Sequence, residues 1–360
     1  MNFLFYAPQM GPYGGIERHV CTLAAILANK GHRVCFLTTS NSLGNELRAD
    51  LKHENIEFLE LPISRGKASA WKKLCWLLWK STLLRFRTWD LIYTNGQSAL
   101  ARYVWRAAGK KTRILHHHHT SAAADEQLSW SAAFKRVLTE APEVVTCSEF
   151  TRKCIEQSTG RAHTTFLPYL TQSPITAEEV QDHPVSGKLH FGFLGRLIPE
   201  KGIGRIMELS LEPSLANIEW HIHGSGPDYP PEAFTPYPNI HYHGPYRTPA
   251  EHAVALRALD ALVLFSTHNE GMPLCLIEGM SAGLPWIATD RGGTAELALS
   301  KENSRVLDAQ ASIAEMRDAC SSLASDITAG RCSRINQRKA YDSFIAPETV
   351  SRVWLKELKA

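Results

Sequence analysis

The run F-S-T-H-N-E-G-M-P-L-C-L-I-E-G-M-S-A-G-L-P, from Phe265 to Pro285, leaves this chain few folds to choose from. It begins at the end of an apolar segment, Ala261 to Phe265, of the length and composition of a buried parallel strand. A turn through Glu270, Gly271, Met272 and Pro273 then enters a short helix ending near Gly283. Pro273 suits the first helical turn, where its missing N–H has no partner to lose, and Gly283 suits a left-handed stop. Glu270 then lies in the loop at a strand's C-terminal end, and Glu278 one or two turns into the helix. The N–H groups of Gly271, Met272 and Leu274 point outwards between them. A helix N-terminus of this kind attracts anions, and the flanking carboxylates accept hydrogen bonds from hydroxyls. The ligand expected here is a phosphate joined to a polyhydroxyl group; a nucleotide-sugar fits that description.

The same strand, loop and helix grammar recurs along the chain. Phe3 to Ala7 predicts a strand, the loop P-Q-M-G-P-Y-G-G follows, and Val20, Leu23, Ala24 and Leu27 mark a helix over 17–29. Gly14 and Gly15 let the backbone approach a ligand closely; a tight turn with no ligand is the other reading. Strands are expected at 34–37, 57–61, 91–94, 113–115, 144–147 and 164–167. Helices are expected at 71–86 and 99–108, and from Ser148 as N-cap to about 158. Residues 171–188, polar and carrying Pro174 and Pro184, predict a linker. A second series follows, with strands at 189–194, 219–223, 240–243 and 286–289, and a capping box at Thr248 and Glu251. Arg196 and Lys201 flank the loop that leaves the first of these strands, where two cations can neutralise a diphosphate. A solvated surface pair is the plainer alternative.

A length of 360 residues predicts two domains, and 44% hydrophobic with 21% charged residues is ordinary for a soluble globular chain. A formal charge of +3 is too weak for a dedicated nucleic-acid binder. Met1 to Ala7 is too short for a signal peptide, and no apolar run has the length of a membrane span. The eight cysteines contain no C-x-x-C pair and suit free thiols in a reducing cytoplasm.

Two segments carry open readings. Between Lys67 and Arg87, Lys72, Lys73, Lys80 and Arg85 interleave with Trp71, Trp76, Trp79 and several leucines. Such a helix suits the surface of an anionic membrane, which for a cytoplasmic protein is the membrane's inner face, or it packs its apolar side on the sheet and leaves its cations solvated. The run His116–His119 follows a strand, where open α/β sheets place ligands. Alternation sends His117 and His119 to one face, His116 and His118 to the other. No acidic or cysteine companion stands at ligand spacing, so no metal is expected, and a functional or a structural histidine remains.

In their order, Gly195-Arg196…Lys201-Gly202, Gly224-Ser-Gly-Pro, Glu270-x7-Glu278 and Asp290-x-Gly-Gly-x-x-Glu296 resemble the retaining glycosyltransferases of family 4. The resemblance extends to the first loop and helix. It implies an α/β GT-B fold, two Rossmann-like domains facing across a cleft. The domains expected are 1–170 on the acceptor side, the linker 171–188, and 189–345 binding the nucleotide-sugar, with a helix at 346–360 crossing back. It implies that Arg196 and Lys201 bind the donor diphosphate and that Glu278 accepts the ribose hydroxyls. Glu270, Gly271, Met272, Pro273 and Leu274 would cradle the sugar and its phosphate, with Gly244 to Tyr246 near the base and Gly14 and Gly15 near the phosphates. His119 best matches the histidine that touches the reacting sugar, with His118 as the register alternative. The implied catalytic set is Glu270, His119, Arg196 and Lys201.

The implied activity moves a hexose-type sugar from a nucleotide-diphosphate sugar to a hydroxyl of a glycan or glycolipid. The chain has no D-x-D, so transfer without metal or further cofactor is expected. Where many relatives carry P-N-G-V-D, this chain has Pro168-Tyr-Leu-Thr-Gln172. The rival readings are a sugar-nucleotide epimerase or phosphorylase on a similar fold, and a non-catalytic partner subunit.

Overall fold

All strand pairs among the described residues run parallel, as buried apolar segments joined by helical crossovers do. The computed structural model describes residues 1–8, 15–39, 49, 51–61, 70–182 and 187–360. Gly14 and residues 67–69 of the basic segment lie outside them. The chain divides into two compact units, Met1–Thr171 together with Pro347–Ala360, and Gln172–Ala346.

The first unit runs β1 (Asn2–Tyr6), α1 (Gly15–Asn29), β2 (Arg33–Thr39), β3 (Ile56–Leu61), α2 (Ala70–Leu84), β4 (Leu91–Asn95), α3 (Ala101–Val104), β5 (Arg113–His118), α4 (Ala124–Leu128), α5 (Ala132–Glu140), β6 (Glu143–Thr146), α6 (Glu149–Thr159) and β7 (Thr165–Phe166). Its sheet has the order β3-β2-β1-β4-β5-β6-β7. The second unit runs β8 (Leu189–Leu194), α7 (Ile203–Leu209), β9 (Ile218–His223), β10 (Ile240–Gly244), α8 (Pro249–Arg257), β11 (Ala261–Leu264), α9 (Leu274–Ser281), β12 (Trp286–Thr289), β13 (Ser304–Leu307), α10 (Ile313–Thr328) and α11 (Arg334–Phe344). Its sheet has the order β10-β9-β8-β11-β12-β13. The last helix, α12 (Pro347–Leu358), belongs to the first unit.

Strand alternation splits the core of the first unit into two layers. Phe3, Phe5, Phe36 and Tyr93 face Val20, Leu23 and Leu27 of α1 and Val350, Trp354 and Leu358 of α12. Leu4, Tyr6 and Ile92 face Leu77 and Leu84 of α2, Val104 of α3 and Phe134 and Val137 of α5. Trp354 is fully buried, and its indole N–H donates to the Pro168 carbonyl at 2.8 Å. A buried indole N–H usually finds such a partner, and this bond ties α12 to the segment just after β7.

Several boundaries differ from the sequence reading. β5 continues through His116, His117 and His118 instead of stopping at Leu115. Neighbouring strands hold these rings: Thr94 Oγ1 lies 3.0 Å from His116 Nδ1, and Tyr93 Oη 2.7 Å from His117 Nδ1. The helix expected at 99–108 is one α-turn, α3, followed by a 3₁₀ turn over Trp105–Ala107. α4, α5 and β13 have no counterpart in the sequence reading. Part of the predicted linker is tied into the second unit, where the Asp182 carboxylate accepts from the Ser333 hydroxyl and the Arg334 N–H.

Candidate active site

In the second unit β8 lies between β9 and β11, so the chain reverses its direction of travel across the sheet there. Ligands of open α/β sheets bind at such a switch point, outside the strands' C-terminal ends. Residues 195–202 leave β8 at that edge and residues 265–273 leave β11. Gly202 locks the two loops together. Its φ is +78°, and a Cβ there would stand 2.2 Å from the Phe265 carbonyl oxygen. Thr267 N–H donates to the Glu200 carbonyl at 2.8 Å across the same junction.

This junction brings Lys201 onto Glu270. Lys201 Nζ donates to Oε1 at 2.7 Å and to Oε2 at 2.8 Å, and both side chains are largely buried. The Ser266 hydroxyl donates to Oε1 at 2.6 Å, and His268 Nε2 stands 3.6 Å from it. Burial opposes ionisation of the Glu270 carboxyl, but Lys201, then His268 and Ser266, outweigh it and hold the group below its ordinary range. Glu270 is therefore an anion at neutral pH. An ammonium has three donors, and two are spent on Glu270, leaving one for an incoming oxygen.

The Glu270 backbone is also pinned. Its carbonyl accepts from Gly293 N–H at 3.0 Å, and it forms an isolated parallel bridge with Gly292. The D-x-G-G turn of the sequence thus buttresses the Glu270 turn. Pro273 is the N-cap of α9, one position earlier than its expected place in the first helical turn. The first N–H groups of a helix have no partner within it, and no backbone carbonyl among the described residues takes those of Gly271, Met272 or Leu274. Met272 and Pro273 are buried; Gly271 and Leu274 are half-buried.

Glu278 is buried on the second turn of α9, with His252 Nε2 of α8 3.5 Å from its Oε2. The His252 ring stacks on Tyr246 at 4.1 Å between centroids and 2° between planes. Gly244 ends β10 with φ +73°. Arg196 is exposed, unlike Lys201. The sequence reading missed three members of this group. Ser266 and His268 stand within four residues of Glu270, a spacing that could have flagged them; His252 has no local signal.

Gly15 and His119 belong to the first unit. Gly15 is the first residue of α1. His119 follows β5 and is buried, its ring parallel to Tyr169 (5.6 Å, 5°) and 3.8 Å from that of His117. The Tyr169 hydroxyl donates to the His119 carbonyl at 2.5 Å. Neither ring nitrogen of His119 has a hydrogen-bond partner among the described residues. Burial, then the neighbouring histidines, pushes the His119 and His117 pKa values well below the usual range, so both rings are neutral. His118 faces the other layer, with Nε2 3.2 Å from Glu126 Oε1 and 3.0 Å from Thr120 Oγ1. Among the described residues, no group of three or more His, Cys, Asp or Glu side chains is placed to hold a metal ion.

A family model described as "Glycosyl transferases group 1" matches residues 188–326, and one described as "Glycosyl transferase 4-like domain" matches residues 14–169. No curated protein matched the sequence. Among solved structures, HepE from Anabaena in complex with UDP and glucose is similar at TM-score 0.78 and 18% identity, covering 100% of this chain and 99% of that one. The lipopolysaccharide outer core galactosyltransferase WaaB is similar at TM-score 0.74 and 17% identity, covering 100% and 99%. Sucrose-phosphate synthase from Thermosynechococcus elongatus is similar at TM-score 0.77 and 18% identity, covering 99% and 98%. Two parallel α/β units with these likenesses define the GT-B fold. With a glycosyltransferase model matching each unit, the chain belongs to the glycosyltransferases.

Proposed function

We propose that the protein moves a hexose-type sugar from a nucleotide-diphosphate sugar to a hydroxyl of a glycan or glycolipid, with retention at the anomeric carbon and without a metal ion. The observation that carries this reading is the Lys201–Glu270 pair at the switch point, beside N–H groups leading into α9 that no backbone carbonyl among the described residues takes. Arg196, the third donor of Lys201 and those N–H groups would hold the diphosphate and stabilise its charge as the sugar C1–O bond breaks. The acceptor oxygen would bond to C1 from the same face, its proton passing to the leaving phosphate oxygen. Glu270 would accept hydrogen bonds from the sugar hydroxyls. Glu278, steadied by His252, would accept those of the ribose, and Gly244 to Tyr246 would lie beside the base. Gly15 and His119 would contribute from the first unit. HepE is titled with UDP and glucose, which makes UDP-glucose the first donor to test.

Calorimetry with UDP-sugars, then GDP- and ADP-sugars, is the test. The wild type should bind one of them, and Glu278→Ala and Lys201→Ala should lose that binding. Unchanged affinity in both variants would remove the site assignment. Transfer that persists in a strong chelator supports the metal-free reading, and donor isomerisation without transfer supports the epimerase reading instead.

A further inference from the structure

α2 has two apolar sides. Leu77 and Leu84 point into the core of the first unit, and Trp76 packs partly against it. The opposite side carries Trp71, Trp79, Leu83 and, two residues past the helix, Phe86, exposed by 70%, 57%, 46% and 87%. Spacings of four, eight and twelve residues put Trp71, Cys75, Trp79 and Leu83 on one stripe. Core packing accounts for the first side and leaves the second without a purpose. Scattered exposed apolar residues are ordinary, but a stripe of large apolar side chains along one helix face marks a contact surface.

Along this segment of the chain the charge has one sign, and the Glu57 carboxylate is paired with Arg87. From Leu61 to Trp89 the sequence holds no Asp or Glu, while Lys72, Lys73, Lys80 and Arg85 border the aromatic residues. Lys80 Nζ sits 4.5 Å over the Trp79 ring, so cation and aromatic face present together. Tryptophan and phenylalanine flanked by lysine match the boundary between lipid headgroups and acyl chains. Among the described residues no helix is long and apolar enough to cross a membrane, so the contact lies along the surface.

From this juxtaposition we infer that the outer face of α2 docks the protein on an anionic lipid bilayer, with Trp71, Trp79, Leu83 and Phe86 at the acyl boundary and Lys72, Lys73, Lys80 and Arg85 on the headgroups. The inference is independent of which donor is used, and it stands if the donor-site reading fails.

Vesicle co-sedimentation tests it, with phosphatidylcholine alone and with about 30% phosphatidylglycerol added. The wild type should pellet with the anionic vesicles only, and release as salt rises. Trp71→Ala/Trp79→Ala/Phe86→Ala should weaken binding by roughly tenfold or more. Lys73→Glu/Lys80→Glu should weaken it by about fivefold for each lysine removed, and further for the added charge. Circular dichroism should be unchanged in both, because the altered side chains lie outside the core. A wild type that stays in the supernatant, equal binding to neutral vesicles, or unaltered binding by either variant overturns the inference. So does a wild-type dimer that the aromatic variant converts to monomer, which would assign the face to a second copy of the chain.

Discussion

Lys201 holds both carboxylate oxygens of Glu270 from 69 residues away, at 2.7 and 2.8 Å. Two facts of chain path create this contact. Lys201 ends a 3₁₀ turn after β8, and Glu270 lies in the loop after β11, the strand beside it. Lys201→Met alone leaves a buried carboxylate without its cation and should cost the second unit about 3–5 kcal/mol. Lys201→Met/Glu270→Met should recover most of that loss while donor binding stays absent. Urea unfolding and calorimetry on the two variants separate the structural part of the pair from its binding part. A single variant as stable as wild type would contradict the burial described.

Gly292 offers a test that leaves every polar group in place. A Cβ there would stand 1.9 Å from the Glu270 carbonyl oxygen, and φ is +65°. Gly330 has nearly the same φ, +69°, with nothing within 4 Å of its Cβ position. Gly330→Ala should therefore cost only the left-handed conformation, about 1–2 kcal/mol. Gly292→Ala should cost roughly 2–4 kcal/mol and lower donor affinity, because the Glu270 turn must move. Melting curves of the two variants side by side give the comparison, and equal losses would contradict it.

Acid should weaken the first unit from an unusually high pH. Burial pushes His19 and His116 down to about 3, and His117 and His119 well below their ordinary value. In the unfolded chain each takes a proton near 6.5. Below that pH the unfolded state binds more protons than the folded one, so stability rises with pH and falls as pH drops. The loss starts near 6.5 and continues to about 3, at about 1.4 kcal/mol per pH unit for each such histidine. Urea midpoints at pH 7.5 and 5.5 measure it; equal midpoints would mean that these rings titrate in the fold.

Trp354→Ala should be among the most damaging single changes in the first unit. It removes a fully buried indole and leaves the Pro168 carbonyl without its donor. The expected cost is about 3–5 kcal/mol. A melting temperature within a degree or two of wild type would show that α12 adds little.

The two α/β series and several boundaries could be read directly from apolar runs. β8 and β12 coincide with the predicted segments because each is a short, mostly apolar run between a polar residue or proline and a turn. The three histidines of β5 escaped because their burial depends on Tyr93, Thr94 and Phe134, which no local pattern announces. α4 and α5 escaped for a different reason. Their sequence, A-D-E-Q-L-S-W-S-A-A-F-K-R-V-L-T-E, shows a helical period only across two short helices with a break between them. At the site, Glu270, Glu278 and Lys201 were all visible as residues. Which cation meets which carboxylate was not, because that is decided by strand order and not by spacing along the chain.

The second unit is one uninterrupted stretch, Gln172–Ala346, while the first needs Pro347–Ala360 to finish its core. Trp354 meets Pro168 across 186 residues. A ribosome therefore delivers the first unit's opening strands long before the helix that closes them, and the later-made unit can complete its fold first. A message cut short before α12 yields a product whose first unit is left with an open apolar wall. α12 thus acts as a check that translation has passed residue 358, and a chain cut before it presents itself to chaperones and proteases through its first unit.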